Sequence, residues 1–348
     1  MKGFKRIIVW ALLSIMMQVA ALLYLDKVYL KHSSEFQLKE VKEDVVGSKA
    51  DLSIPQGAKK IQSSYDGKYI SYFVDSKFYL LDTKTGTSEE IITNKGNREV
   101  LNSEWLPDRN RLTIAEKVTS SSKKNVINVI NYDAKNKTES QITENEKVCD
   151  YKSGMQVDAI ETTTLSGVTF VSVSKGGNNA VIYRINIEKN VESIGSNISA
   201  MGEMKVSPSS DSIIYQDKKA KRFYEYTNGK ASKINITNSS NLTLLARDSN
   251  GVVYMGEEIE DKVTKIFSGT LNQKFATWKV TQLDKPKNST DIYVNDKGEF
   301  LVNDSLDGKV KNLTTSESVS YKGKFISVNN KVILSSDNGK IYLTSLSK

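Results

Sequence analysis

The sequence predicts an all-β fold, a ring of six to eight four-stranded antiparallel sheets with seven the preferred count, behind one N-terminal membrane helix. Three observations carry this. Nineteen consecutive residues near the N-terminus, Ile7 to Leu25, hold no charge, proline or glycine. Beyond residue 54 the apolar residues fall in short runs rich in aromatic and β-branched types, divided by tight turns and without a helical period. One strand–turn–strand unit then recurs along the chain.

The apolar run comes first. At about 1.5 Å per residue, a helix of this length matches a hydrocarbon core of about 30 Å. Ile7 and Leu25 bound the expected anchor, and Trp10 takes an interfacial-belt position near its start. Lys2, Lys5 and Arg6 precede the run, whereas Asp26 and Glu35 dilute Lys27 and Lys31 after it. The positive-inside tendency therefore puts residues 1–6 in the cytoplasm and the long remainder outside the cell membrane. A cleaved signal peptide is the competing reading, because Val19-Ala20-Ala21 is a passable cleavage site. The run continues past Ala21 to Leu25, which suits an anchor better.

Residues 26–53 read as a juxtamembrane stalk. Phe36, Leu38, Val41 and Val45 recur near helical spacing among charged residues, and the one histidine, His32, lies here. With a single histidine, a His-based metal site and a Ser-His-Asp triad spread over the domain are both excluded in practice. The one cysteine, Cys149, rules out an intramolecular disulfide.

Residues 54–348 read as one extracytoplasmic domain. Lys68 to Phe73 is a strand, Phe78 to Asp82 another, Thr83 to Gly86 a turn, and Ser88 to Ile92 a further strand. The unit Ser64-Tyr65-Asp66-Gly67-Lys68-Tyr69-Ile70 is echoed at Leu106 to Leu112, Leu165 to Val168, Ser207 to Ile214, Arg247 to Val253, Asn295 to Leu301 and Val328 to Ile333. Tyr79 to Gly86 is echoed at Ile130 to Lys137, Tyr183 to Asn190 and Phe223 to Gly229. The copies are spaced by about 33 to about 58 residues, around the roughly 40–50 of β-propeller blades. A four-stranded sheet cannot bury both faces alone, whereas radial stacking buries them. Ring closure can draw a strand from the segment before Ile61.

At these residues the chain resembles the broad group of bacterial propellers related to the TolB C-terminal domain and to the N-terminal propeller of dipeptidyl-peptidase IV. The resemblance lies in Ser64 to Ile70, Pro107-Asp108, Ser207-Pro208 and Leu80 to Gly86, and covers most of residues 54–346. It implies a WD40-like propeller plan, although no WD signature is present and several units lack the Pro-Asp-Gly turn. The motifs are structural, so the resemblance implies a fold and no activity.

Function is read from what remains. There is no G-x-S-x-G motif, so the hydrolase domain that accompanies some related propellers is not expected. No cofactor and no metal site is expected, and the chain is expected not to be an enzyme. The formal charge of +8 comes from 49 basic and 41 acidic residues, without a basic stripe, so nucleic acid is not an expected partner. Lys218, Lys219 and Arg222, in the densest basic cluster, are candidate contacts for a ligand or partner, with a solvated loop between strands as the plain reading. Trp105 and Trp278 are candidate contacts for a sugar or a partner, with a core aromatic between blades as the alternative. The resulting expectation is a single-pass binding or assembly platform of the bacterial cell envelope with a protein partner. Its alternatives are a wall-glycan binder or carbohydrate-active enzyme, and an accessory sensory ectodomain.

Overall fold

The computed structural model describes residues 2–26, 51–92, 98–119, 124–236 and 241–346. The chain divides into two units, residues 1–44 and 45–348. Most of the expected stalk, including His32 and the apolar spacing from Phe36 to Val45, lies outside the described residues.

In the first unit, α1 (Lys2–Tyr24) is a helix with its apolar side chains exposed. It is long and apolar enough to cross a membrane, a property it shares with signal sequences.

The second unit is built of antiparallel sheets that follow one another along the chain. The first holds β1 (Lys59–Ser63), β2 (Tyr69–Val74), β3 (Lys77–Asp82) and β4 (Ser88–Glu90). The second holds β5 (Arg98–Trp105), β6 (Arg111–Thr119), β7 (Asn125–Asp133) and β8 (Thr138–Gln141), with β9 (Cys149–Asp150) also paired to β7. The third holds β10 (Met155–Thr162), β11 (Thr169–Lys175), β12 (Asn178–Ile185) and the first half of β13 (Val191–Val206). The second half of β13 opens the fourth sheet, with β14 (Ser212–Asp217), β15 (Arg222–Thr227) and β16 (Lys230–Lys233). The fifth holds β17 (Leu242–Arg247), β18 (Val252–Ile259), β19 (Lys262–Thr270) and β20 (Lys279–Lys287). The sixth holds β21 (Ile292–Val294), β22 (Phe300–Asp304), β23 (Lys309–Asn312) and β24 (Ser318–Ser320). The last holds β25 (Lys324–Val328), β26 (Val332–Asp337) and β27 (Lys340–Ser345).

Every copy of the recurring turn sits between the first two strands of its sheet. The first shows why it is used. Asp66 is fully buried and accepts hydrogen bonds from Ser64 Oγ (3.2 Å) and the Lys68 N–H (3.1 Å). Gly67 takes φ 74°, the left-handed region where a side chain is costly. These turns also join neighbouring sheets. Asn110 Nδ2 donates to Asp66 Oδ2 (3.2 Å), the Leu165 N–H to Pro208 O (3.2 Å) and Ser209 Oγ to Ser249 O (3.3 Å). Tyr293 Oη donates to Asn330 Oδ1 (3.0 Å), and Asn329 Nδ2 to Ser64 O (3.1 Å).

Period-two alternation decides what each strand buries. Phe78 and Leu80 of β3 pack with Trp105, Leu112, Ile114 and Ile130 of the second sheet. Ile70 and Tyr72 of β2 face the other way, onto Val332, Leu334, Ile341 and Leu343 of the last sheet. Burying each such side chain is worth about 1.5–3 kcal/mol.

A short segment from upstream pairs with the edge of the last sheet. The Ile54 N–H donates to Gly339 O (2.9 Å), the Ile341 N–H donates to Leu52 O (2.9 Å), and Ser53 pairs with Lys340. Leu52 is 1% exposed. The expected stalk–domain boundary at residue 54 is therefore corrected: Leu52 and Ser53 belong to the β domain, because Leu52 buries its side chain there.

Candidate functional site: a central cavity lined by the first strands

The seven turns begin at equivalent positions. The backbone N–H groups of Ser64, Leu106, Thr163, Ser207, Asp248, Asn295 and Asn329 each donate to the carbonyl across their own turn, at 2.8–3.0 Å. Two residues earlier, on the first strand of each sheet, stand Gln62, Glu104, Glu161, Lys205, Ala246, Tyr293 and Ser327. The equal offset puts these side chains on equivalent faces of their strands.

Five of them, Glu104, Glu161, Lys205, Ala246 and Tyr293, line one cavity of about 400 Å³, and Gln62 reaches the same place by hydrogen-bonding Glu104. The first strands of successive sheets run beside one another around it. Lys60 Nζ donates to Asn102 Oδ1 (3.3 Å), and Gln62 Nε2 to Glu104 Oε2 (3.0 Å). Lys205 Nζ lies 3.2 Å from Glu161 Oε1 and 3.7 Å from Glu203 Oε2.

Glu104 opens onto the cavity, yet protein surrounds it at depth. That surrounding pushes its carboxyl up to about 7, Glu161 adds repulsion, and Lys205 and Gln62 oppose the shift. Burial also pushes Glu161 up, against the pull of Lys205. Lys205 is driven the other way for an amine, above its ordinary value, chiefly by Glu161, so it stays charged. A carboxyl balanced near neutrality donates or accepts a proton with equal ease, the property a general acid–base group needs. Arg247 also lines the cavity, but it is engaged: Nη1 donates to Ser212 Oγ (2.7 Å) and Nη2 to Glu225 Oε1 (3.1 Å). Among the described residues no three His, Cys, Asp or Glu side chains converge as a metal ion requires.

The residues singled out from sequence lie elsewhere or serve packing. Trp105 lines the cavity at its edge but is 7% exposed, and its Nε1 donates to Ser71 Oγ (3.0 Å) within the core of the first two sheets. Trp278 is 6% exposed among Phe267, Phe275 and Leu244 and is not among the cavity residues. Lys218, Lys219 and Arg222 are exposed at the hairpin between β14 and β15, and Lys218 borders a second, polar cavity with Glu203 and Glu258. Sequence reasoning missed Glu104, Glu161 and Lys205. Part of the signal was available: Glu104 and Lys205 each stand two residues before a copy of the turn already recognised, at Leu106 and Ser207, whereas Glu161 stands four before the copy at Leu165.

No family model and no curated protein matches the sequence. Solved structures do match in shape. An oligogalacturonate lyase from Vibrio parahaemolyticus aligns with TM-score 0.52 and 10% identity, over 82% of this chain and 88% of that one. Dipeptidyl peptidase 4 of Porphyromonas gingivalis aligns with TM-score 0.45 and 11% identity, over 76% of this chain and 45% of that one. A regucalcin from Agrobacterium tumefaciens aligns with TM-score 0.44 and 11% identity, over 73% and 82%. At such identity the lyase match shows the fold alone, and that fold is β-propeller-like.

This match corrects the expectation that the chain is not an enzyme. That expectation rested on a missing hydrolase motif and a missing histidine site. A lyase covered over 88% of its length by a similar fold means that neither absence argues against catalysis on a fold of this kind.

Proposed function

We propose that the protein is a single-pass, membrane-anchored, extracytoplasmic β-propeller whose central cavity takes an envelope glycan, with Glu104 as its proton-carrying group. The observation that carries this is the Glu104 carboxyl, held near neutrality at the wall of a cavity that also contains the Lys205–Glu161 ion pair. Glycosidic chemistry turns on a carboxylic acid that keeps its proton near pH 7. The lyase of similar fold acts on oligogalacturonate by its name, but this cavity favours a different sugar. Glu104, Glu161, Glu203 and Asp296 face only Lys205 and the already-paired Arg247, so an anionic uronate would be repelled and a neutral glycan would not.

The anchor reading keeps residues 1–6 in the cytoplasm and the β domain outside, supported by the basic flank and the apolar run. Seven blades closed into a ring are part of the proposal, supported by the pairing of residues 52–54 with β27 and by the packing of the first sheet on the last. Kinship with TolB-type propellers belongs to it as well. A second reading, docking of a protein partner, is favoured by Leu165 and Ile187, apolar side chains 79% and 73% exposed at turns of the third sheet.

Crosslinking pull-down from intact membranes tests the choice. Recovery of glycan fragments that is lost in Glu104→Gln supports the cavity reading. Recovery of discrete proteins alone, unchanged in Glu104→Gln, replaces it with the docking reading.

A further inference from the structure

Within the span Ile7 to Leu25, the small and polar side chains are not scattered. Ala11, Ser14, Gln18 and Ala21 stand at successive spacings of three, four and three residues, and Ala20 is the one other small residue. Extended by Ile7 and Leu25, the seam runs four, three, four, three, four. That is the 3.5-residue repeat with which two helices pack along a shared line at a crossing of about 20°.

Gln18 lies near the centre of the span, about 3 Å along the helix from Met16. Its side chain is exposed on α1 and makes no hydrogen bond among the described residues. In hydrocarbon, a primary amide without a partner loses its water and gains nothing in return. The chain itself offers no second span among the described residues that would supply one. Ala11, Ser14 and Ala21 flank the amide with side chains small enough for another backbone to approach.

We propose that α1 pairs with α1 of a second copy along Ile7, Ala11, Ser14, Gln18, Ala21 and Leu25, with the two Gln18 amides hydrogen-bonded to each other. A second copy fits for two reasons. Every copy inserts in one orientation, so parallel helices bring Gln18 opposite Gln18 at equal depth. A primary amide carries both donors and an acceptor, so it complements itself, whereas a carboxylate or an ammonium would not. The opposite side of the helix, with Val9, Met16, Ala20 and Leu23, carries only apolar groups suited to lipid. This inference rests on the retained-anchor reading above.

The full-length chain, carrying two different tags and reconstituted in phosphatidylcholine–phosphatidylglycerol vesicles, tests it by energy transfer between copies at several protein-to-lipid ratios. Association is expected for the natural sequence. Gln18→Leu should weaken it roughly threefold to tenfold. Ala21→Ile, on the seam, should weaken it at least as much. Ala20→Ile is the same change one residue away and off the seam, and should leave it within about twofold. A monomeric natural sequence overturns the proposal, as does Ala20→Ile weakening association as much as Ala21→Ile, or Gln18→Leu having no effect. Gln18-dependent capture of a different membrane protein in place of a second copy overturns it too. Intact mass of the membrane fraction separates the two failures. A chain beginning near Leu22 removes the anchor reading itself, whereas an intact but monomeric chain removes only the seam.

Discussion

Leu52 offers the sharpest test of how the β domain holds together. It lies upstream of the first complete sheet, yet it is 1% exposed and packs with Ile70, Leu81, Ile341 and Leu343. Replacing it with alanine removes three buried carbons and leaves a hole between the first and last sheets. Buried Leu→Ala changes cost about 2–5 kcal/mol, against a total stability of about 5–15 kcal/mol for a domain. Ile70→Ala, fully buried in the same cluster, should cost a similar amount. In urea, at about 1–3 kcal/mol per molar for the slope, either change should lower the midpoint by about 1–2 M in one cooperative transition of residues 45–348. An open array behaves differently. There Leu52 would belong to a frayed end, its truncation would cost within about 0.5 kcal/mol, and only Ile70 would matter. An unmoved midpoint for Leu52→Ala beside a shifted one for Ile70→Ala would refute closure through residues 52–54. So would deletion of residues 61–92 that leaves a protease-resistant core from about residue 100 onward.

Three further outcomes are expected. Glu104 keeps its proton in the folded chain up to about 7, whereas the unfolded carboxyl loses it near the ordinary 4.5. Between those values the native state binds more protons, so this group makes stability fall as pH rises. Glu104→Gln should flatten that limb in urea titrations at pH 4.5 to 7.5, and an unchanged slope would show that the carboxyl is not raised. Gly269→Ala would place a Cβ 2.5 Å from Cδ1 and Cγ of Trp278, so the ring must shift. A loss of about 1–3 kcal/mol with altered tryptophan fluorescence is expected, and an unchanged melting curve would contradict this packing. Arg222→Ala, at an exposed hairpin, should change stability by no more than about 0.5 kcal/mol, and a larger loss in chemical denaturation would mean the side chain has a buried role.

Much of the architecture was legible because it depends on local rules. The apolar run from Ile7 to Leu25 declares a helix by length and composition alone. The repeated turns are equally local, since Asp66 and Gly67 satisfy the turn from within a few residues whatever surrounds them. Alternation within β2 and β3 likewise settled which residues share a face, and Ile70 with Tyr72 and Phe78 with Leu80 do bury on opposite sides.

What lay beyond the sequence depends on residues far apart in the chain. Nothing local tells Leu52 that the N–H its carbonyl accepts from, and the side chains it packs on, lie at Ile341 to Leu343. The tryptophans drew attention by type, but type does not say whether a ring faces solvent, and the sheets enclose both. Glu104, Glu161 and Lys205 are unremarkable singly, each a polar residue on a short strand. Their offset from the turns marks equivalent positions, but only the radial arrangement of the sheets turns those positions toward one cavity. That convergence surrounds Glu104 with protein and brings Glu161 near it, which together raise its carboxyl to about 7, while Lys205, paired to Glu161, and the Gln62 amide only partly offset the rise. Sequence determined the strands, the turns and the membrane-length helix, because these answer to neighbours a few residues away. Tertiary structure alone decided which side chains meet at the centre, because a proton's affinity depends on charges brought close through space.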